Sequence, residues 1–265
     1  MTPDSILLVG CGNMGRAMLN GWLAAGIDPA RIAVIDPSSP DLPDGVLLLA
    51  DAPAAAPECL VIAVKPQKLA EVGQILGRAH GPETIVLSVL AAVEFAPLRR
   101  HVPDAKAIAR AVPNLPAAIG QGITALVLDR DCAPARAMLE RLCAPLGPVE
   151  WLAGEALCDP VTAVSGCGPA FLFRFADATI RAGVGVGLDR EQARRLVIQT
   201  LLGSARLLAA SDEEPATLAA RVASPGGVTL AGLAILDRDE ALATLLDTTL
   251  QAANQRSLEM ARLYR

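Results

Sequence analysis

Gly10-Cys11-Gly12-Asn13-Met14-Gly15 is the first segment whose residue types and spacing suggest chemistry. It fits G-x-G-x-x-G and lies between an apolar run, Ile6–Val9, and a helical pattern over Met14–Ala25. In that setting the first glycine permits a tight turn and the second lets the backbone approach a pyrophosphate. The third lets helix and strand pack closely, and the helix start turns free N–H groups toward the phosphates. Asp36 follows Gly15 by 21 residues, at the end of the next apolar run, Ile32–Ile35. A carboxylate there accepts hydrogen bonds from the adenosine ribose hydroxyls. It also repels a 2′-phosphate, and no arginine follows in Asp36-Pro37-Ser38-Ser39, which favours NADH over NADPH. Ser38 and Ser39 remain able to hydrogen-bond a phosphate. Lys65, between the run Leu60–Val64 and Pro66, reads equally as a residue under the cofactor or as a solvated surface lysine.

A second segment, Ser224-Pro225-Gly226-Gly227-Val228-Thr229, leads into the apolar helical stretch Leu230–Leu236. Consecutive glycines and the free amides of a helix start make a pocket suited to a carboxylate, with the Thr229 hydroxyl beside it. On composition alone it reads first as a helix-capping turn. His80 and His101 fall near predicted surface loops and read as bystanders, although histidine is the usual general acid near neutral pH. Six cysteines form no C-x-x-C pair, so neither a metal site nor a redox dithiol is expected. They read as reduced, small hydrophobes in a cytoplasmic protein.

The elements that must position these residues change character along the chain. Through the first 150 residues, apolar runs at Ile6–Val9, Ile32–Ile35, Leu60–Val64, Ile85–Val89, Ala107–Ala111 and Thr124–Leu128 read as strands. Helical spacing at Met14–Ala25, Gln67–Leu76 and Pro134–Leu146 separates some of them. That alternation predicts a parallel sheet with helices on its faces, a Rossmann-type α/β architecture over residues 1–152. Residues 153–265 carry no strand-like runs and predict an all-helical domain. Pro169 suits a first turn, Gly183 a C-terminal stop, and Asp189 with Gln192 a capping box. Pro215 opens a short helix, and a long one runs from about Asp239 to Leu263. These helices are rich in Ala and Leu with few charges, which leaves apolar surface for another subunit.

Bulk properties exclude other classes. Apolar residues make up 52% of the 265-residue chain and charged residues 19%, which supports cores without disulfide staples. The net charge of −5 and only three lysines argue against a nucleic-acid partner. Mean hydropathy is +0.42, yet no uninterrupted apolar stretch approaches the roughly 18–20 residues of a membrane span, so no membrane is expected. The start, Met1-Thr2-Pro3-Asp4-Ser5, lacks the features of a signal peptide.

Four segments, in order, resemble the pyrroline-5-carboxylate reductase family: Gly10–Met14, Ala63-Val64-Lys65-Pro66-Gln67, Val164-Ser165-Gly166-Cys167-Gly168-Pro169-Ala170 and Ser224–Thr229. Arg110-Ala111-Val112-Pro113-Asn114-Leu115-Pro116 is similar to the family's Pro-Asn-Thr-Pro loop. The resemblance implies reduction of the cyclic imine 1-pyrroline-5-carboxylate to L-proline with NADH or NADPH. It implies a helical domain that interlocks with a second copy, with the active site at the dimer interface, and in many members a ring of five dimers. By position it assigns Gly10, Gly12, Asn13 and Met14 to the pyrophosphate, with Ala63, Val64, Lys65 and the Val89-Leu90-Ala91 stretch lining the cofactor; Val9, Cys11, Asp36 and Pro66 complete the expected cofactor set. Ser224, Gly226, Gly227, Val228 and Thr229 would bind substrate, with Thr229 the catalytic candidate. Cys167, Leu115, Val228 and Phe171 depart from the family pattern, each removing polarity or a donor, which leaves room for a related cyclic imine. A β-hydroxyacid reductase of the same plan would carry a Lys or Asp in the first long helix of the second domain. Gly168–Ala182 offers Arg174 and Asp177 but no lysine. A non-catalytic NAD(P) sensor would need no substrate turn at Ser224–Thr229.

Overall fold

The computed structural model describes residues 5–38 and 40–264. The expected readings on Met1–Asp4 and on Ser39 lie outside them. Strands β1 (Ile6–Val9), β2 (Ile32–Ile35), β3 (Leu47–Leu48), β4 (Cys59–Ile62), β5 (Ile85–Ser88), β6 (Ala107–Pro113), β7 (Thr124–Leu128) and β8 (Val149–Trp151) form one sheet in the order β3-β2-β1-β4-β5-β6-β7-β8. Strands β1, β2 and β4 are apolar at every position because both faces are covered. Ile6 and Leu8 of β1 face one core, and Leu7 and Val9 face the other.

Helices α1 (Asn13–Ala24) and α4 (Ala133–Cys143) pack on the first face. Their junction holds Trp22, fully buried, whose indole Nε1 donates to the Leu142 carbonyl at 2.8 Å. Helices α2 (Leu69–Arg78) and α3 (Phe95–His101) cover the second face through Leu69, Leu76 and Leu98. The chain runs outward from β1 to β2 and β3, then returns to β4 on the other side of β1. Between β1 and β4 the connection direction reverses, which opens a crevice at the carboxyl ends of these strands.

Several expectations need correction. The sheet is not wholly parallel: β7 runs antiparallel to β6. Only residues 114–123 join the two strands, too few for the dozen or more residues of a parallel crossover. Strand β4 ends at Ile62, so Ala63 and Val64 lie in the loop beyond it. The helix expected over Gln67–Leu76 begins as a 3-10 turn, Pro66–Lys68, and becomes α2 at Leu69. His101 sits half-buried at the end of α3 rather than in a surface loop, and fills space that a side chain on Gly73 would occupy.

Two compact units divide the chain. One holds the sheet up to Cys167 together with the last stretch from Ala252, and the other is Gly168–Gln251. Residues 153–167 thus sit with the sheet unit. They carry α5 (Cys158–Val161) and a π-helical turn, Thr162–Gly166. In the second unit, α6 (Gly168–Gly185) runs past Gly183, which allows close approach to Ala193 of α7 (Arg190–Ala209). The left-handed residue after α6 is Gly187, at φ 105°. Asp189 caps α7 through the amides of Glu191 and Gln192, at 2.9 and 3.0 Å. Helices α8 (Pro215–Val222), α9 (Val228–Leu236) and the start of α10 (Ala241–Arg262) complete the unit.

Candidate active site

The glycine loop follows β1 at the crevice, and its three glycines answer to different constraints. Gly10 has φ 95°, and a Cβ on it would lie 2.7 Å from the Ala63 carbonyl carbon and oxygen. At Gly15 a Cβ would collide with the Gly10 carbonyl. Around Gly12 nothing among the described residues lies within 4 Å of that position, so they make no demand for glycine there. The open space suits a ligand that comes close to backbone. The Gly10 amide donates to the Ile35 carbonyl at 2.8 Å, and the Cys11 amide to Asp36 Oδ2 at 2.6 Å. Beyond them the first amides of α1 have no intrahelical acceptor, as at any helix start.

Asp36 stands at the end of β2 and is tied to the same loop. Its Oδ1 accepts from the Ser38 amide at 2.8 Å and the Ser38 hydroxyl at 2.6 Å. Partial burial works against the charge, but the hydrogen bonds from Ser38 and Cys11 outweigh it and hold the carboxyl below its ordinary range. A cavity of about 510 Å³ opens beside it, lined by Val9, Asp36 and Val64 of the expected set. Its remaining walls include Leu48, Leu49, Ala50, Val72 and Ile75, which the sequence reading missed. Apart from Asp36 and Glu71, whose carboxylate Lys68 holds at 2.7 Å, the walls are largely apolar, which fits an adenosine.

A second cavity, of about 410 Å³, is lined by Cys11, Gly12 and Asn13 of the expected set. Arg16, Ala17, Asn20, Leu115 and Ala118 complete it. Met14 is half-buried against the first core. Lys65 is exposed just before Pro66, and neither residue lines these two cavities. Leu90 and Ala91 lie in the loop after β5, also outside both linings. Leu90 is buried, with its amide 3.3 Å from the Ser88 hydroxyl. Ala92 follows at φ 61°, a left-handed conformation rare for a residue with a Cβ.

The residues of the second segment come together in a turn of the other compact unit. Gly226 has φ 70°, and the Gly227 amide donates to the Ser224 carbonyl at 2.9 Å. A Cβ on Gly227 would strike the Ser224 hydroxyl. Gly227 caps α9, Val228 is 92% exposed, and Thr229 is half-buried in the first turn. The helix has no side-chain cap, which leaves its starting amides open. Among the described residues the Thr229 hydroxyl has no hydrogen-bond partner. An anion seated there would meet backbone N–H groups and one hydroxyl.

Three further features escaped the sequence reading. The π-helical turn falls on the motif that includes Ser165-Gly166, and its widened bond runs from the Cys167 amide to the Thr162 carbonyl at 2.8 Å. Gly166 there faces Val112, near the carboxyl end of β6, so the turn sits on the cofactor edge of the sheet. Arg110, buried in β6, bonds Glu155 Oε1 at 2.9 Å, and the same oxygen accepts the Phe95 amide at 2.7 Å. An isolated charge in an apolar strand was the available signal for it. A helical run over Glu155–Gly185 is also long and apolar enough, by length and composition, to cross a membrane. Counting uninterrupted apolar residues overlooked it, because an average over 18 residues tolerates a charge or two.

Comparison with known proteins places these features. Residues 155–260 match the family described as pyrroline-5-carboxylate reductase dimerisation, and residues 5–92 match NADP oxidoreductase coenzyme F420-dependent. The chain is 36% identical to the pyrroline-5-carboxylate reductase of Pseudomonas aeruginosa, over 98% of both chains. It is 34% identical to that of Escherichia coli, over 86% of this chain and 88% of the other. Among solved structures it resembles a pyrroline-5-carboxylate reductase from Coxiella burnetii at 29% identity and TM-score 0.86, over 98% of this chain and 99% of that one. It also resembles the Plasmodium falciparum pyrroline carboxylate reductase with NADP bound, at 26% identity and TM-score 0.85, over 97% and 98%. The chain belongs to the pyrroline-5-carboxylate reductase family.

Proposed function

We propose that the protein reduces the cyclic imine 1-pyrroline-5-carboxylate to L-proline, the last step of proline biosynthesis, with a nicotinamide dinucleotide as reductant. The observation that carries this is identity to reductases of that name along nearly the whole chain, with the Ser224–Thr229 turn intact. Gly10, Gly12, Asn13 and Met14 hold the pyrophosphate, Val9 and Cys11 contribute to the cofactor site beside them, and Asp36 holds the adenosine ribose. Ala63, Val64, Lys65, Pro66, Leu90 and Ala91 line the rest of the cofactor. Residues 1–152 form the dinucleotide domain, and residues 153–265 bind substrate and form the subunit contact.

Bound in that cradle, the reduced nicotinamide supplies a hydride to the carbon of the C=N bond. The ring nitrogen takes up a proton, because an iminium accepts hydride far more readily than a neutral imine. Ser224, Gly226, Gly227 and Val228 form the carboxylate cradle, and the Thr229 hydroxyl hydrogen-bonds the ring nitrogen. A threonine hydroxyl is a weak acid, so it orients the nitrogen and relays a proton rather than supplying one alone. NADH is the favoured donor, since the Asp36 carboxylate repels a 2′-phosphate and the adjoining Pro37-Ser38-Ser39 offers no cation.

The protein works as a homo-oligomer, a dimer or a ring of five dimers, in the cytoplasm. Apolar residues exposed on α6, namely Leu172, Phe173 and Phe175, lie within the stretch matching the dimerisation family and supply the contact. The test is oxidation of NADH and NADPH, separately, with 1-pyrroline-5-carboxylate. Faster turnover with NADH supports the whole reading, and faster turnover with NADPH overturns the argument from Asp36. Folded protein that binds a dinucleotide yet turns over with neither would retire this substrate.

A further inference from the structure

Arg16 occupies the fourth position of α1, where the exposed amides of the helix start already make the local field positive. No acidic residue stands in that first turn. Among the described residues the Arg16 guanidinium has no ion pair and no hydrogen bond, although the residue is half-buried. It lines the 410 Å³ cavity together with Gly12 and Asn13 of the glycine loop, opposite the apolar Leu115 and Ala118. It lies near enough to Cys11 to act on the thiol electrostatically, in the direction that favours a negative charge, though burial of the thiol outweighs it. A cation set against a helix dipole, half desolvated and without a counter-charge, is at odds with its surroundings unless an anion joins it.

We propose that Arg16 is a direct ligand of the cofactor's diphosphate bridge, a charged arm added to the backbone amides of the loop. The inference rests on the assignment of the glycine loop to a dinucleotide. Recognition then divides between two groups: Asp36 takes the ribose hydroxyls, and Arg16 takes the charge between the two nucleosides. Arginine suits this role because its rigid, planar fork matches two phosphate oxygens, where lysine acts as a point charge.

The test is calorimetric titration of the full chain and of Arg16→Met and Arg16→Lys with NADH, ADP-ribose and adenosine. Arg16→Met should weaken NADH and ADP-ribose about 10-fold to 100-fold, the range of a charge-assisted hydrogen bond. Adenosine, which carries no phosphate, should bind all three proteins within about twofold of one another, the scatter expected where no bond is lost. Arg16→Lys should fall between, and the deficit of Arg16→Met should shrink as salt is raised. Unchanged NADH affinity in Arg16→Met, or equal weakening of adenosine, overturns the proposal. If Arg16→Met fails to fold, Arg16→Lys decides: affinity equal to the parent at low and high salt overturns it. Failure of the parent to bind NADH or ADP-ribose removes the dinucleotide assignment and this proposal with it. Normal binding without imine turnover removes only the substrate assignment.

Discussion

Asp36 concentrates several consequences in one carboxylate. It holds the Cys11 amide of the glycine loop and the Ser38 amide and hydroxyl, so it braces the loop in addition to the ribose contact proposed for it. Replacing it with serine should shift the ratio of kcat/KM for NADPH over NADH upward by about 10-fold or more, as removal of a like charge from a phosphate implies. Its lowered pKa also has a sign in stability. A carboxyl whose folded pKa lies below the ordinary value stabilises the fold above the ordinary carboxylate range, and that contribution disappears as pH falls through the lowered value. Asp36→Asn should therefore flatten the acid limb of a denaturation midpoint plotted against pH. At Thr229, replacement by valine keeps the shape and deletes the hydroxyl. Turnover of the imine should drop about 10-fold to 1,000-fold with NADH affinity unchanged. Equal turnover would exclude the hydroxyl from the reaction. Ala92 makes an opposite prediction, since its φ of 61° strains a residue with a Cβ. Ala92→Gly should stabilise the chain by about 0.5–1 kcal/mol, the strain relieved less the entropy of a freer unfolded chain. A lower thermal midpoint would mean that the loop already accommodates the strain.

Elements carry the site only because their ends are fixed. One such tie is Arg110 of β6, which meets Glu155 just ahead of α5, while Glu155 also holds the first amide of α3. Cutting it with Glu155→Ala leaves a guanidinium buried without its partner. The cost should be about 2–3 kcal/mol, below the full penalty of a wholly buried pair because the Glu155 side chain is 30% exposed. Urea midpoints read this directly, and Arg110→Met paired with Glu155→Leu should recover much of it. The long apolar strands, the glycine loop and the Asp189 cap were legible because each is a local pattern. Strands β3 and β8, two and three residues long, give no periodicity to detect. The antiparallel step from β6 to β7 depended on loop length rather than on strand composition. The walls supplied by Leu48, Leu49 and Ala50 become a site only when β3 is laid beside β2. The π-helical turn is a further case, since nothing in Thr162–Gly166 marks one inserted residue before the backbone is traced.

At the scale of the molecule, exposed apolar surface sets the terms. Phe173 and Phe175 are 60% and 51% exposed on α6, in a chain whose charged residues are few. Each aromatic ring gives roughly 1.5–3 kcal/mol when moved from water to a packed contact, so a handful of such positions suffices for stable self-association. Two destinations satisfy the same physics, a second copy of the chain or a lipid bilayer, because α6 belongs to the helical run long enough to span one. They differ in what else they require. Asp177 and Arg181 pair with each other at 3.1 Å on the exposed surface of the helix, and charges within a bilayer, even paired, face a protein interior or a water-filled cavity rather than lipid. An aqueous interface accepts such a pair at its rim. Phe173→Asp should therefore convert the assembly to monomers in sedimentation at micromolar concentration, with helical content retained. The parent should stay in the supernatant when spun with phospholipid vesicles. Unchanged sedimentation of the variant would remove this face of α6 from the contact. Recovery of the parent with the vesicles would direct the exposed rings toward lipid instead.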